Sequence, residues 1–125
     1  MDIYAEEILH HYRHRQNYGR LPRPTHVGEK YNPFCGDRIK VELRVVDGRI
    51  AQIKWVGAGC AISQAAASLF SDIINRVGIV DQIKKMTGQQ VLKRLNMAGL
   101  NPARIKCALL AWEAVNRALD SKTHD

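Results

Sequence analysis

Trp55-Val56-Gly57-Ala58-Gly59-Cys60-Ala61-Ile62-Ser63-Gln64 carries an apolar strand through two glycines and a cysteine into a helical pattern. A cysteine at that junction faces the start of a helix. The first backbone N–H groups there have no partner inside the helix, and with the macrodipole they favour a thiolate, the form that binds metals and attacks sulfur. A small buried core cysteine is the competing reading, because free cysteine is among the most buried residue types. Downstream, Ile62, Ala66, Leu69 and Ile73 recur at helical spacing and predict a helix over Ala61 to Val77, stopped by Gly78. Upstream, Ala51, Ile53 and Trp55 alternate with Gln52 and Lys54, the signature of a half-buried strand.

That strand has a partner. Ile39, Val41, Leu43 and Val45 alternate with Arg38, Lys40, Glu42 and Arg44, and Asp47-Gly48 turns the chain between the two runs. A two-residue turn pairing Val46 with Arg49 sets Val41 against Lys54 and mixes the faces. A three-residue loop with Gly48 left-handed pairs Val41 with Ile53 and Ile39 with Trp55, and is preferred because one face stays apolar. Either register brings Cys35 opposite Cys60 to within about one residue, and strand alternation puts Asp37 on the same side as Cys35. Two thiols and a carboxylate therefore converge at one mouth of the sheet.

The rest is mostly helical. Tyr4, Ile8 and Tyr12, flanked by Ala5 and Leu9, predict one face of a helix over Ile3 to Arg15. His10, His11 and His14 read as solvated or partner-facing residues rather than as a three-histidine metal site, because His10 and His11 diverge by about 100° around the axis. Asn17-Tyr18-Gly19 and Leu21-Pro22-Arg23-Pro24 form a connecting loop, and His26 to Tyr31 reads as a short edge strand. Val80 to Lys85 adds a short helix. Thr87-Gly88-Gln89-Gln90 is a capping box for a helix with Val91, Leu92 and Leu95, ended by Gly99. Asn101-Pro102 opens a last helix with the stripe Ile105, Leu109, Trp112, Val115 and Leu119. Cys107 lies near its start and off that stripe, which suits a ligand better than a core residue. Cys35, Asp37, Cys60 and Cys107 are thus four candidate ligands, and a thiolate-rich set favours Zn(II) or an iron–sulfur cluster. No C-x-x-C pair is present to make the spacing decisive by itself.

Composition narrows the class. At 125 residues with 46% hydrophobic content the chain has the size for one domain, 1–125, that buries its own core. No apolar run has the roughly 18 residues of a membrane span, and Met1 to Glu7 is too acidic for a targeting segment, so the expected setting is cytoplasmic, with no membrane partner. Three cysteines cannot complete a disulfide framework, and reduced thiols fit that compartment. A net charge of +7 invites a nucleic-acid reading. The basic residues are instead spread from Arg13 to Arg117 among acids, with only two Phe and two Trp for stacking, which argues against nucleic acid as a partner.

Ile8-Leu9-His10-His11-Tyr12 with Asn17 and Gly19, Asn32-Pro33-Phe34-Cys35-Gly36-Asp37, Gly59-Cys60-Ala61-Ile62-Ser63-Gln64-Ala65 and Arg104-Ile105-Lys106-Cys107-Ala108 resemble the NifU/IscU/SufU family of iron–sulfur cluster assembly scaffolds. The resemblance spans nearly the whole chain. It implies an α+β fold, a small antiparallel three-stranded sheet packed on one face by four to five helices. It also implies a labile [2Fe-2S] cluster, or Zn(II), at Cys35, Asp37, Cys60 and Cys107, with Cys107, Cys60 and Cys35 as sulfur acceptors. Implied partners are a cysteine desulfurase and apo iron–sulfur recipients, with an iron donor or chaperone as further candidates, and the chain as a monomer or a cluster-bridged homo-oligomer. Two departures stand out. IscU-type members have a histidine where this chain has Lys106, which is similar to the SufU-type branch, and the interval from Cys60 to Cys107 is short as in IscU types. As a cation beside Cys107, Lys106 is expected either to favour the thiolate there or to be a solvated helix lysine. The chaperone-recognition stretch of IscU types aligns with Leu100 to Arg104 and is only partly kept. The alternatives are a SufU-like zinc-dependent sulfur acceptor, and a thiol hydrolase or structural zinc module; a hydrolase needs a histidine base near Cys60, which the sequence does not place.

Overall fold

A computed structural model describes residues 3–33 and 36–121, with side chains from residue 6 onward. The order is α1 (Ile3–Arg13), β1 (His26–Asn32), β2 (Asp37–Val46), β3 (Arg49–Ala58), α2 (Ala61–Val77), α3 (Val80–Lys85), α4 (Gly88–Arg94), α5 (Pro102–Ala108) and α6 (Leu110–Asp120). The three strands form one antiparallel sheet in the order β1-β2-β3. Ile39, Val41, Leu43, Ile53 and Trp55 are fully buried, and α2 and α6 pack on the sheet.

The hairpin corrects the expected register. Val46 pairs with Arg49, so the turn is the two-residue one, and Asp47 (φ 50°) and Gly48 (φ 75°) are both left-handed as a type I′ turn requires. A bulge then restores the apolar face. Val45 pairs with Ile50 but Arg44 with Gln52, so Ala51 is the extra residue, and beyond it Leu43 faces Ile53 and Val41 faces Trp55. One inserted residue reverses which side chains share a face, so the turn and the hydrophobic pattern are reconciled.

Residues 17–25 complete the sheet. Trp55 N–H donates to the Asn17 carbonyl at 3.1 Å and Gly19 N–H to the Trp55 carbonyl at 2.8 Å, which covers the free edge of β3. The chain then crosses the charged face of the sheet, where Arg20 Nε and the Leu21 N–H both donate to Glu42 Oε1, at 3.0 and 2.9 Å, before entering β1. Burial pushes the Glu42 carboxyl up. The hydrogen bonds from Arg20 and Leu21, with the charges of Arg20 and Lys40, outweigh burial and hold it below its ordinary value.

Three helical expectations need adjustment. Of the predicted α1 face, Ile8 is buried but Leu9 and Tyr12 are 46% and 43% exposed, and polar contacts from α1 and the segment after it also reach α2. Ser68 Oγ lies 2.8 Å from His11 Nδ1 and accepts the Gln16 N–H at 2.8 Å, while Asn17 Nδ2 donates to Ser71 Oγ and Asp72 Oδ1. Burial, followed by the nearby His10, lowers the His11 pKa. Helix α4 stops at Arg94, before Gly99. Asn96 (φ 59°) takes the left-handed position, with Asn96 N–H to the Lys93 carbonyl and Met97 N–H to the Leu92 carbonyl, a Schellman ending. The capping box at Thr87 and Gln90 forms as expected. The last helix is divided at Leu109 into α5 and α6, which brings the count to six. The fully buried face of α6 is Leu110, Ala111, Ala114, Val115 and Ala118; Trp112 and Leu119 are only half-buried. Size explains the shift, because α6 approaches β1 so closely that a Cβ on Gly28 would lie 2.3 Å from the Ala114 carbonyl oxygen.

Candidate metal centre

Cys60 is the N-cap of α2, with extended backbone (φ −71°, ψ 166°) and a half-buried side chain. The strand-to-helix junction read from the sequence is therefore real. Asp37, the first residue of β2, is 1% exposed and closes on it. Its Oδ1 accepts the Cys60 N–H at 3.0 Å, and its Oδ2 accepts from the Cys60 thiol at 3.4 Å. Gly59 makes this approach possible. Its φ is +147°, and a Cβ there would sit 2.3 Å from Asp37 Oδ1. Ser63 Oγ donates to the Cys60 carbonyl at 3.0 Å and lies 3.8 Å from the sulfur.

The third donor arrives from α5. Asn101 Oδ1 accepts the Arg104 N–H at 3.0 Å and Pro102 fills the first turn, so the short helix is fixed at its start. Cys107 follows near its end, 5% exposed, with its thiol 3.8 Å from the Ala103 carbonyl. It lies on the buried side of the helix, contrary to the expectation that it stands off the apolar stripe. The division at Leu109 accounts for this, because α5 and α6 do not share one stripe. Ligand atoms of Asp37, Cys60 and Cys107 all lie within 4.8 Å of one another. Both thiols border a groove of about 670 Å³, whose lining also includes Asn32, Pro102 and the exposed cations Arg104 and Lys106.

The fourth candidate, Cys35, and with it the expected pairing of Cys35 with Cys60, lies outside the described residues. Sequence reasoning missed the residues that hold the β3–α2 loop. Gln64 Nε2 donates to the Gly59 carbonyl at 2.9 Å, and Arg15 donates to Gln64 Oε1 at 3.1 Å. The Arg15 guanidinium lies 3.9 Å over the Tyr18 ring, whose hydroxyl donates to the Gly57 carbonyl at 3.4 Å. The available signal was the polar i, i+4 spacing of Gln64, Ser68 and Asp72 along α2.

Two sulfurs and one carboxylate at mutual distances under 5 Å suit a tetrahedral ion or an iron–sulfur unit. They do not suit thiol hydrolysis, because the hydrogen-bond partners of the Cys60 thiol among the described residues are Asp37 and Ser63, with no histidine base. Fold and site together define a small α+β domain with a thiolate and carboxylate centre at a strand-to-helix junction. The chain belongs to the family described as the NifU-like N terminal domain, which it matches over residues 3–123. It is 35% identical, over an alignment of 131 positions, to the iron-sulfur cluster assembly scaffold protein IscU of Thermotoga maritima, covering 94% of this chain and 92% of that one. The zinc-dependent sulfurtransferase SufU of Bacillus subtilis is 29% identical over 94% of this chain and 89% of its own. Among solved structures, the putative iron-sulfur cluster assembly scaffold protein for the SUF system of Fervidobacterium islandicum superposes with a TM-score of 0.76 at 26% identity, over 94% of this chain and 96% of that one. A NifU-like N-terminal protein of Brucella abortus shares the fold with a TM-score of 0.78 at 21% identity, over 94% of this chain and 92% of that one.

Proposed function

We propose that this chain is a scaffold on which a labile [2Fe-2S] cluster is assembled from iron and desulfurase-derived sulfur and then passed to apo-proteins. The observation that carries this reading is the convergence of Asp37, Cys60 and Cys107 within 4.8 Å beside an open groove. Cys35 is the fourth ligand in this reading. The cluster is cargo, and the donor set suits cargo. Thiolates hold iron strongly, whereas a carboxylate is a harder and weaker ligand that a recipient's thiolate can displace.

Sulfur enters by exchange. A thiolate of the chain attacks the outer sulfur of a desulfurase persulfide, forming a new S–S bond while the desulfurase cysteine leaves as thiolate. Each sulfur so received needs two electrons from an external reductant to become sulfide. The exposed cations Arg104 and Lys106 line the groove and attract the anionic persulfide. Partners in this reading are a cysteine desulfurase and apo iron–sulfur recipients, in the reducing setting of the cytoplasm.

A zinc-dependent sulfur acceptor of SufU type is the second reading. It is favoured by Lys106 standing where IscU types carry a histidine, and by the similarity to a zinc-dependent sulfurtransferase. The chain would then add a sulfur-transfer activity to its binding role. Anaerobic purification with metal and sulfide analysis separates the two: iron with acid-labile sulfide supports the scaffold, and stoichiometric zinc that resists exchange overturns it in favour of the acceptor. In either case Cys35→Ser, Cys60→Ser and Cys107→Ser should each weaken metal binding by more than the roughly 10–100-fold that losing an outer-shell partner costs. A variant that keeps wild-type affinity removes its residue from the site.

A further inference from the structure

The last turn of helix α1 carries His10 and His11, and His14 follows its final residue; the thiol site uses none of the three. His10 and His14 stand one turn apart, and the helical hydrogen bonding runs through both, with the His14 N–H donating to the His10 carbonyl at 2.8 Å. Both side chains are exposed. Their ring centroids are 4.9 Å apart with planes inclined by 38°. We propose that His10 and His14 form a two-imidazole chelate for a borderline divalent transition metal such as Zn(II), Ni(II) or Cu(II), distinct from the thiolate centre.

Residues four apart project from one helical face, which is what a bidentate chelate requires. With metal–nitrogen bonds of about 2.0–2.1 Å, one ion bound to both rings at a right to tetrahedral angle places the centroids roughly 4.5–5.5 Å apart. The observed separation falls in that range. Imidazole nitrogens select zinc, nickel and copper over magnesium and calcium. The site lies at the C-terminal turn of α1, where the helix end favours positive charge, and the exposed carboxylate of Glu6 is one turn before His10 on the same face. His11 has another task. Its Nδ1 is bonded to Ser68 on α2, and its ring meets His10 edge-on at 5.3 Å. Two imidazoles leave the remaining coordination positions to water, so the ion exchanges readily, unlike one held by thiolates.

The test is a zinc titration of the reduced chain at about pH 7.5, followed by NMR of the histidine ring protons. These resonances report the imidazoles alone, so the outcome is independent of whether the cysteines hold zinc, iron or nothing. The His10 and His14 signals are expected to shift together, and in His14→Ala the His10 shift should need at least about tenfold more zinc, because the second ligand no longer acts intramolecularly. A Tyr12→His/His14→Ala variant keeps the number of imidazoles but separates the pair by about 200° around the axis, and should behave like His14→Ala. Circular dichroism of each variant confirms that it is folded. His10 signals that do not move, or that move at the same zinc concentration in either variant, overturn the proposal.

Discussion

At the scale of single residues, the centre depends on a glycine that carries no ligand. Asp37 reaches Cys60 only because Gly59 has no Cβ at the place the carboxylate occupies. Gly59→Ala should therefore expel Asp37 and strain a left-handed backbone, costing about 1–3 kcal/mol. A urea unfolding curve would show the loss, and an accompanying fall in zinc affinity would show that it reaches the site. Asp37→Ala is expected to act differently. It removes the ligand and the acceptor for the Cys60 N–H while leaving the loop room, so a reconstituted cluster should persist longer and pass more slowly to an apo-ferredoxin. A variant that donates its cluster as fast as wild type would sink this account of Asp37.

At the scale of elements, pieces that look like plain connections hold the site in place. The segment after α1 caps the β3 edge and crosses the sheet over Glu42, and its Arg15 secures the β3–α2 loop through Gln64. Because the folded Glu42 carboxyl titrates below its ordinary 4.5, the stability it supplies is complete above that pH and is lost as pH falls through the lower folded-state value. Glu42→Gln should flatten the acid limb of a plot of unfolding midpoint against pH, with little change near neutrality beyond the lost charge. An unchanged acid limb would assign the acid sensitivity to other groups. Ser68→Ala removes the hydroxyl shared by His11 and the Gln16 N–H, and should loosen α1 by about 1–3 kcal/mol, readable as faster amide exchange at Gln16.

At the scale of the whole molecule, the described centre is assembled from two separate parts of the fold. Asp37 and Cys60 belong to the sheet and the start of α2, whereas Cys107 is carried by α5, continuous with the α6 that packs on β1. Helix α5 also packs on α2, and through its continuity with α6 the close approach of α6 to Gly28 should help to set where Cys107 stands. Gly28→Ala drives a methyl group into the Ala114 and Ala118 backbone, so it should destabilise the fold by about 1–3 kcal/mol and weaken zinc binding although Gly28 touches no ligand. If stability falls while affinity is untouched, α5 is positioned independently of α6.

The sequence by itself determined the elements and the candidate ligands. The strands over 38–46 and 49–56, the helix after Cys60, the box at Thr87 and the Asn101-Pro102 start are local patterns set by backbone period and capping, and each element forms. Ala51 is nevertheless the bulge residue, and the buried face of α2 runs through Phe70 and Ile74 while Leu69 and Ile73 are only partly buried. The motifs around Asp37, Cys60 and Cys107 pointed to one centre, and those three residues meet. Only the tertiary structure decided the register, the break at Leu109 and the true face of α6. A bulge at Ala51 lets a tight turn and an apolar face coexist, which no pairwise pattern reveals. The buried face of α6 is chosen by small residues, because close approach to β1 rewards alanine opposite glycine more than a large side chain on a stripe. The hydrogen bonds that join residues 11–17 to α2 likewise link positions more than 45 apart in the chain, so they exist only once both helices are docked.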